Sequence, residues 1–443
     1  MKFSLFLSKI FFLFYILTSQ LSAFEIIRDT ELEQFTEDVL SVLLKSNDLN
    51  VNDLNIYFVK SDQINAFVTG GKNIFINTET IIKAENYGEY AAVLAHELAH
   101  IIGGHIFSTN IEISNLSDKA LPIYLLGIIG MITGSADTGL VGVMVGQASV
   151  NDGYTSYSRI QEASADQAAV NILCNNGING KFLISFLDKI DNVKVGNASL
   201  KRNYRSTHPL VQNRIGWINS SLQSLNDCDF ELNKKLDKRF NLLKAKLHGF
   251  THPHKETEAV YTSSNDIDLY ATAVSSYFIG NHKKSITNIE NLIDKYPDNP
   301  FYRELLGEIH FANNNYLQAI EYHKSAIDLI DETDDLYYMM MGNYLLTLDD
   351  KNKSNEAISY LKKSINLNPK NAYAWYLLSR AYAQVKSIPL ANYATAERYF
   401  LTGERGLSYE FALKALKGVE EYSPEWYRST DLIAILEKEV TNR

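Results

Sequence analysis

Residues 89–105 read EYAAVLAHELAHIIGGH, and the fold follows from how this stretch is read. Alanine and leucine dominate it, no proline interrupts it, and Gly103-Gly104 ends it, so a helix is expected. His96 and His100 stand four residues apart and leave one face of that helix about one turn from each other. Such spacing presents two neutral imidazole nitrogens to a single Zn²⁺. Glu97, directly after the first histidine, is placed to take a proton from an attacking water. Two ordinary helical histidines are the plain alternative. Against it, apolar residues surround the pair, and histidines in an apolar helix need partners when buried.

A zinc site needs a third protein ligand. His105 follows soon after the motif, and Gly103 matches the glycine of the metzincin pattern HExxHxxGxxH. The third histidine of that pattern falls at Ile106, so His105 is about 100° of helix out of place. His105 is therefore read as a surface or supporting residue. Downstream, Ser158 to Cys174 reads SRIQEASADQAAVNILC, a second expected helix with Glu162 and Asp166 on one face. On a solvated face two such carboxylates mildly repel. Ala163, Ala165, Ala168 and Ala169 instead suit close packing onto another helix.

The order of the motifs carries a resemblance. INAFVTGGKNIFINTETI at 64–81, then AAVLAHELAHIIGGH, then QEASAD, then THPLVQNRI together resemble the zinc peptidases that include the CAAX prenyl proteases and the Oma-type proteases. The chain most resembles their periplasmic branch with C-terminal tetratricopeptide repeats, the BepA-like proteases. The resemblance implies a gluzincin site in which His96, His100 and Glu162 hold one Zn²⁺ per chain. Glu97 is then the catalytic base, and Asp166 orients a ligating histidine. One departure is that EASAD lacks the second acidic residue that relatives often carry before Ala-Asp. His208-Pro209 followed by Arg214 matches an HP…R segment of the same branch. It implies that His208 lies near the zinc, as an extra ligand in a resting state or as a hydrogen-bond donor to the reaction intermediate. A surface loop histidine is the alternative. Arg214 would hold that loop or pair with an active-site carboxylate. The resemblance also implies a strand before the HExxH helix that binds extended peptide at a sheet edge, with Lys72 to Asn77 as its counterpart.

Around this centre the chain has 443 residues, 46% hydrophobic and 21% charged, with a net charge of −10. That length suits two or three domains, and that charge argues against a nucleic-acid binder. Residues 1–23 read as a cleaved secretory signal: Lys2 and Lys9, an apolar run from Ile10 to Leu17, and small residues at Ser22-Ala23. A retained anchor is the rival, but the run is short for a span. Export implies a periplasmic protein in an oxidising compartment, where the two cysteines, Cys174 and Cys228, could form one bridge. Between the two metal helices, 120–153 is nearly free of charge and carries seven glycines. It reads as a helical lid over the cleft, as a core element, or as a peripheral contact with membrane or partner.

Lys234 to Gly249 is expected as a basic amphipathic helix ending at Gly249, followed by a linker, THPHKETEA. Beyond about 265 small residues recur. Ala273 and Gly307 share one position of a repeat with Ser379, and Ser285 and Ala319 share a second with Ala357 and Ala391. The first two units are offset by 34 residues, the tetratricopeptide period. The expected organisation is a signal at 1–23, a mostly α peptidase domain with a small β-sheet at 24–250, an α-solenoid of repeats at 265–425, and a closing helix with its tail at 426–443. The expected function is a periplasmic zinc endopeptidase in outer-membrane protein assembly and quality control. Its partners are protein substrates, with the assembly machinery or its clients bound through the repeats. The alternative is a chaperone or assembly scaffold whose metal site is latched or vestigial.

Overall fold

The computed structural model describes residues 25–45, 49–70, 72–105, 159–191, 208, 214–225, 228–330 and 334–441. The expected signal at 1–23 and the glycine-rich 120–153 lie outside the described residues. The described residues begin with β1 (Ile26–Ile27), α1 (Thr30–Leu43), β2 (Asn55–Val59), β3 (Ala66–Thr69), β4 (Asn73–Asn77), α2 (Thr78–Lys83) and α3 (Tyr87–Ile102). Next come α4 (Arg159–Asn175), α5 (Lys181–Asp191), α6 (Arg214–Ser224) and α7 (Lys234–Thr251).

The helix α3 is the axis of the first domain. Asn86 caps it by accepting from the Glu89 amide, and every residue from Tyr87 to His100 is buried. A helix without a solvent face is a core element, so its polar side chains must be satisfied internally. Its end is set by glycine. Gly104 has φ 65°, and the His105 amide donates to the His100 carbonyl at 2.8 Å, a Schellman-type close. The chain turns away there, which takes His105 off the ligand face.

The sheet runs β1-β2-β4-β3, with β2 parallel to β4 and the other pairs antiparallel. One face carries a cross-strand aromatic ladder, Tyr57–Phe75–Phe67, with centroids 4.9 and 5.0 Å apart. Ile74, Ile76, Ala66 and Val68 on the other face join the helical core. Alternation of this kind pins the register, since a one-residue slip would exchange the faces. The topology corrects one expectation. The strand at 73–77 is interior, paired on both sides, and the edge beside α3 is β3. Both stretches read as strands; which one lies outermost depends on the parallel β2–β4 pairing, which leaves no local signature.

Helix α4 packs along α3, and Cys174 near its end is disulfide-bonded to Cys228 with Cα atoms 5.0 Å apart. Helix α7 does not end at Gly249. It runs on to Thr251, and a Cβ at Gly249 would lie 2.5 Å from the Ala271 carbonyl oxygen. The glycine is there for close approach. The expected linker holds a further helix, α8 (His254–Val260).

The repeats form antiparallel helix pairs: α9 (Asp266–Phe278) with α10 (His282–Lys295), α11 (Pro300–Ala312) with α12 (Tyr316–Leu329), α13 (Asp335–Thr347) with α14 (Lys351–Leu367), and α15 (Ala372–Gln384) with α16 (Ile388–Leu401). Then follow α17 (Arg405–Leu416) and α18 (Pro424–Thr441), the closing helix. The small-residue positions meet where helices touch. The Ser285 hydroxyl donates to the Ala273 carbonyl at 2.7 Å, and a Cβ at Gly307 would be 3.1 Å from the Ala319 carbonyl oxygen. Gly342, packed on Leu361, fills that position in the third unit.

Helix α7 joins the two halves. Phe240, Leu243 and Leu247 belong to the peptidase core, while Leu242 and Phe250 pack on the first repeats. Lys246 pairs with Asp29 and Glu31, Tyr270 donates to Glu31, and Arg28 reaches Asp335. The N-terminal segment is thereby bound to the repeat stack.

Candidate metal centre

The site is built from three places on the described chain. Helix α3 supplies His96, Glu97 and His100, helix α4 supplies Glu162 and Asp166, and the segment before α6 supplies His208, with Arg214 on the first turn of α6. All seven side chains are buried, none more than 2% exposed. Ligand atoms of His96, His100, Glu162 and His208 all lie within 4.8 Å of one another.

The individual distances are tighter. His96 Nε2 is 3.1 Å from His100 Nε2 and 3.4 Å from His208 Nδ1. Glu162 Oε1 is 3.3 Å from His100 Nε2 and 2.9 Å from His208 Nδ1. Donors about 2.0–2.1 Å from a tetrahedral metal stand about 3.3 Å apart, so the cluster has the edge lengths of a coordination tetrahedron. Imidazole nitrogens that converge in a buried space repel unless a proton or cation lies between them.

The charges agree. Glu97, Glu162 and Asp166 are three buried carboxylates, and Arg214 is the one permanent cation in contact with any of them among the described residues. With neutral imidazoles a divalent cation closes the balance. The residues present therefore fit a metal of the zinc class, bound by imidazole and carboxylate.

The supporting groups orient these donors. Asp166 Oδ1 lies 3.1 Å from His96 Nδ1, an ionic contact whose alignment falls short of a full hydrogen bond. It leaves His96 Nε2 facing the cluster. Arg214 holds Asp166 in a fork, Nε to Oδ2 at 2.7 Å and Nη2 to Oδ1 at 2.6 Å, and its Nη1 lies 2.8 Å from Glu162 Oε2. His208 Nε2 is 3.0 Å from the carbonyl oxygen of Ala66 on the edge strand β3. The carbonyl can only accept, so Nε2 carries a proton, and Nδ1 faces the cluster.

Burial opposes charge throughout the site, and local partners decide each group's state. Against burial, Asp166 and Glu162 hold His96 up at about 9, with a proton that a bound metal ion would displace. Burial lowers His100 to about 3, which leaves it neutral. Glu162 is held well below the usual carboxylate range by His208 and the other histidines despite its burial, and Asp166 is lowered by Arg214. Glu97 goes the other way, raised by burial. Its Oε2 has no hydrogen-bond partner among the described residues.

Seven residues named from the sequence, His96, Glu97, His100, Glu162, Asp166, His208 and Arg214, thus share one site, and His105 stays outside the donor set. The Ala66 carbonyl was not anticipated. It is a backbone atom on a strand without distinctive side chains, so no residue type could have flagged it.

Residues 27–221 match the model of peptidase family M48. The chain carries a peptidase family M48 domain. Over most of its length it is homologous to beta-barrel assembly-enhancing proteases. It is 22% identical over 391 residues to the beta-barrel assembly-enhancing protease of Escherichia coli (strain K12), covering 85% of this chain and 77% of that protein. The protein of the same description from Yersinia pestis is 22% identical over 401 residues, with 88% and 80% covered. Among solved structures, MamA overlaps 39% of this chain and 97% of its own at 21% identity with a TM-score of 0.29, too low to carry an argument. The match to that family model and the homology to these proteases support a metalloprotease, and the buried histidine–carboxylate cluster lies within the matched residues.

Proposed function

We propose that the protein is an exported, zinc-dependent endopeptidase that acts in the assembly and quality control of outer-membrane proteins. The observation that carries the peptidase reading is the juxtaposition of four converging buried ligand atoms with the Glu97 carboxylate on the adjacent position of the same helix. The names of the relatives support a setting in beta-barrel assembly, and the expected signal at 1–23 supports the periplasmic reading.

His96, His100 and Glu162 would hold the ion. Zinc, when bound, would polarise the scissile carbonyl and make water a better nucleophile at neutral pH. The protein's own residues do the rest. Glu97, desolvated and raised above its ordinary value, accepts a proton from the attacking water and delivers it to the leaving amine. Asp166 and Arg214 keep the ligand set in register. The edge strand β3 offers backbone groups along which an extended peptide can align.

His208 occupies this space in the resting protein. Its Nδ1 completes the donor set while its Nε2 engages Ala66 on the edge strand, so one imidazole obstructs both the fourth ligand position and part of the substrate track. Activity then requires the His208 segment to withdraw. This contact is also what favours the second reading, a scaffold protein with a latched metal site.

The deciding experiment is metal analysis with a casein-cleavage assay on the wild type and Glu97→Gln. The near-isosteric variant should keep about one zinc per chain and lose about 10²–10⁴-fold in rate. Wild-type activity in Glu97→Gln would remove Glu97 from the mechanism. Folding-factor activity surviving in a proteolytically dead variant would favour the scaffold.

A further inference from the structure

The inner faces of the first repeats are not an open groove. Helices α9, α11 and α13, with α12 behind them, close over β1, the start of α1 and helix α7 around a cavity of about 360 Å³. Pockets for small ligands begin at about 300 Å³. One part of the wall is apolar and aromatic, with Phe250, Tyr277, Phe278 and Met340. Another carries Glu304 and Glu308, four apart on α11 and so on one side of it.

The cations on the lining are committed elsewhere. Lys246 Nζ is 2.6 Å from Asp29 and 3.2 Å from Glu31, and Arg28 pairs with Glu33 and Asp335. Glu308 accepts the Tyr277 hydroxyl at 3.1 Å. Glu304 has no hydrogen bond or ion pair among the described residues, although it stays partly accessible, as a group facing a cavity does. Two further lining residues, Tyr337 and His323, are 1% and 0% exposed, yet the Tyr337 hydroxyl and His323 Nδ1 lack hydrogen-bond partners among the described residues. Buried polar groups left open in this way mark places where a partner molecule is missing.

We propose that this cavity receives the basic side chain of a partner polypeptide, lysine or arginine, with its cation at Glu304 and Glu308 and its aliphatic stem against Tyr277, Phe278 and Met340. Charge complementarity selects the head group, because Glu304 and Glu308 face the space and neither forms an ion pair among the described residues, Lys246 being paired with Asp29 and Glu31. The aromatic wall suits the stem and adds a cation–π contribution. A polypeptide is the source favoured by the location, on the first helices of three consecutive repeat pairs, the surface that helical-repeat stacks use for extended partners. Burial, opposed by Lys246 and reinforced by Glu308, pushes Glu304 up to about 8, and a bound cation would relieve that penalty. The proposal does not depend on the metal site.

The test uses the full chain with two synthetic probes, acetyl-Leu-Arg-Leu-amide and its uncharged citrulline counterpart, compared by titration calorimetry. The arginine peptide should bind about tenfold or more tightly than the citrulline peptide. Glu304→Gln combined with Glu308→Gln should abolish that preference, with zinc content and casein cleavage unchanged and the melting temperature held or raised. Met340→Lys, which tethers an ammonium inside the cavity, should block the arginine peptide by a separate route. Equal affinity for the two peptides, no binding of either, or an undiminished preference in the double variant would each overturn the proposal. Free cadaverine binding as tightly as the arginine peptide would overturn the polypeptide as the source.

Discussion

Arg214→Met removes a guanidinium that is 1% exposed and touches two carboxylates, Asp166 at 2.6 and 2.7 Å and Glu162 at 2.8 Å. Methionine is apolar and fits a similar volume, so the change isolates charge and hydrogen bonding from packing. It leaves Asp166 and Glu162 buried without their cation. Breaking a buried pair from one side costs about 3–5 kcal/mol. In a domain of this size that corresponds to a melting temperature lower by about 6–20 °C. The assay is urea and thermal unfolding with saturating zinc, with metal affinity measured in parallel; affinity should also fall, because Asp166 loses the fork that aims it at His96. Arg214→Lys keeps the charge but not the fork and should fall between the two. Arg28→Met is the control: its guanidinium is 40% exposed in a pair with Glu33 and Asp335, and it should cost about 1 kcal/mol or less. Unfolding of Arg214→Met within about 1 kcal/mol of wild type, at an unchanged urea slope, would refute the electrostatic account of the site.

Further outcomes follow from the same geometry. Glu162→Ala should strip the metal, whereas His105→Ala should retain it; the reverse pattern in metal analysis would redraw the ligand set. His208→Ala should keep zinc, since three ligands remain, and raise self-cleavage and casein cleavage. Lost cleavage with zinc retained would instead make His208 a donor to the reaction intermediate. Gly249→Val should destabilise the junction by about 1–3 kcal/mol, because a Cβ there meets the Ala271 carbonyl at 2.5 Å; a wild-type melt would show that α7 and α9 can separate at little cost. The same junction makes truncation near Thr251 a harsher cut than a linker would allow, since it exposes the face of α7 that carries Leu242 and Phe250.

Much of the site was legible because its chemistry is written in local spacing. His96, Glu97 and His100 lie on one helix, and Glu162 and Asp166 on another, so a 3.6-residue period suffices to put each set on one face. The repeats were legible for a similar reason: Ala273 with Ser285 and Gly307 with Ala319 are small where helices must approach, and the pattern recurs. Misread were the places where a local signal has two meanings. Gly249 resembles a helix end but serves close packing. Residues 251–259 resemble a linker, but residues 254–260 are helical. Lys72 to Asn77 matches an edge strand through the family resemblance, but the sheet order makes the strand at 73–77 interior.

The sequence by itself determined the metal-binding helices, the secondary-structure class and the repeat period, because each depends on residues within a few turns of one another. Tertiary structure alone decided how the distant parts meet. It brought His208 to Glu162 and to the Ala66 carbonyl across 46 and 142 residues. It set β3, not β4, at the edge, and it folded the peptidase N-terminus against α11 and α13 to enclose an acidic cavity. The physical reason is that backbone periodicity acts over short stretches of chain, whereas the pairing of buried charges and carbonyls is settled by which surfaces pack. Glu304 reads as one more exposed helical glutamate until the packing of another domain leaves it facing a cavity with no ion-pair partner among the described residues.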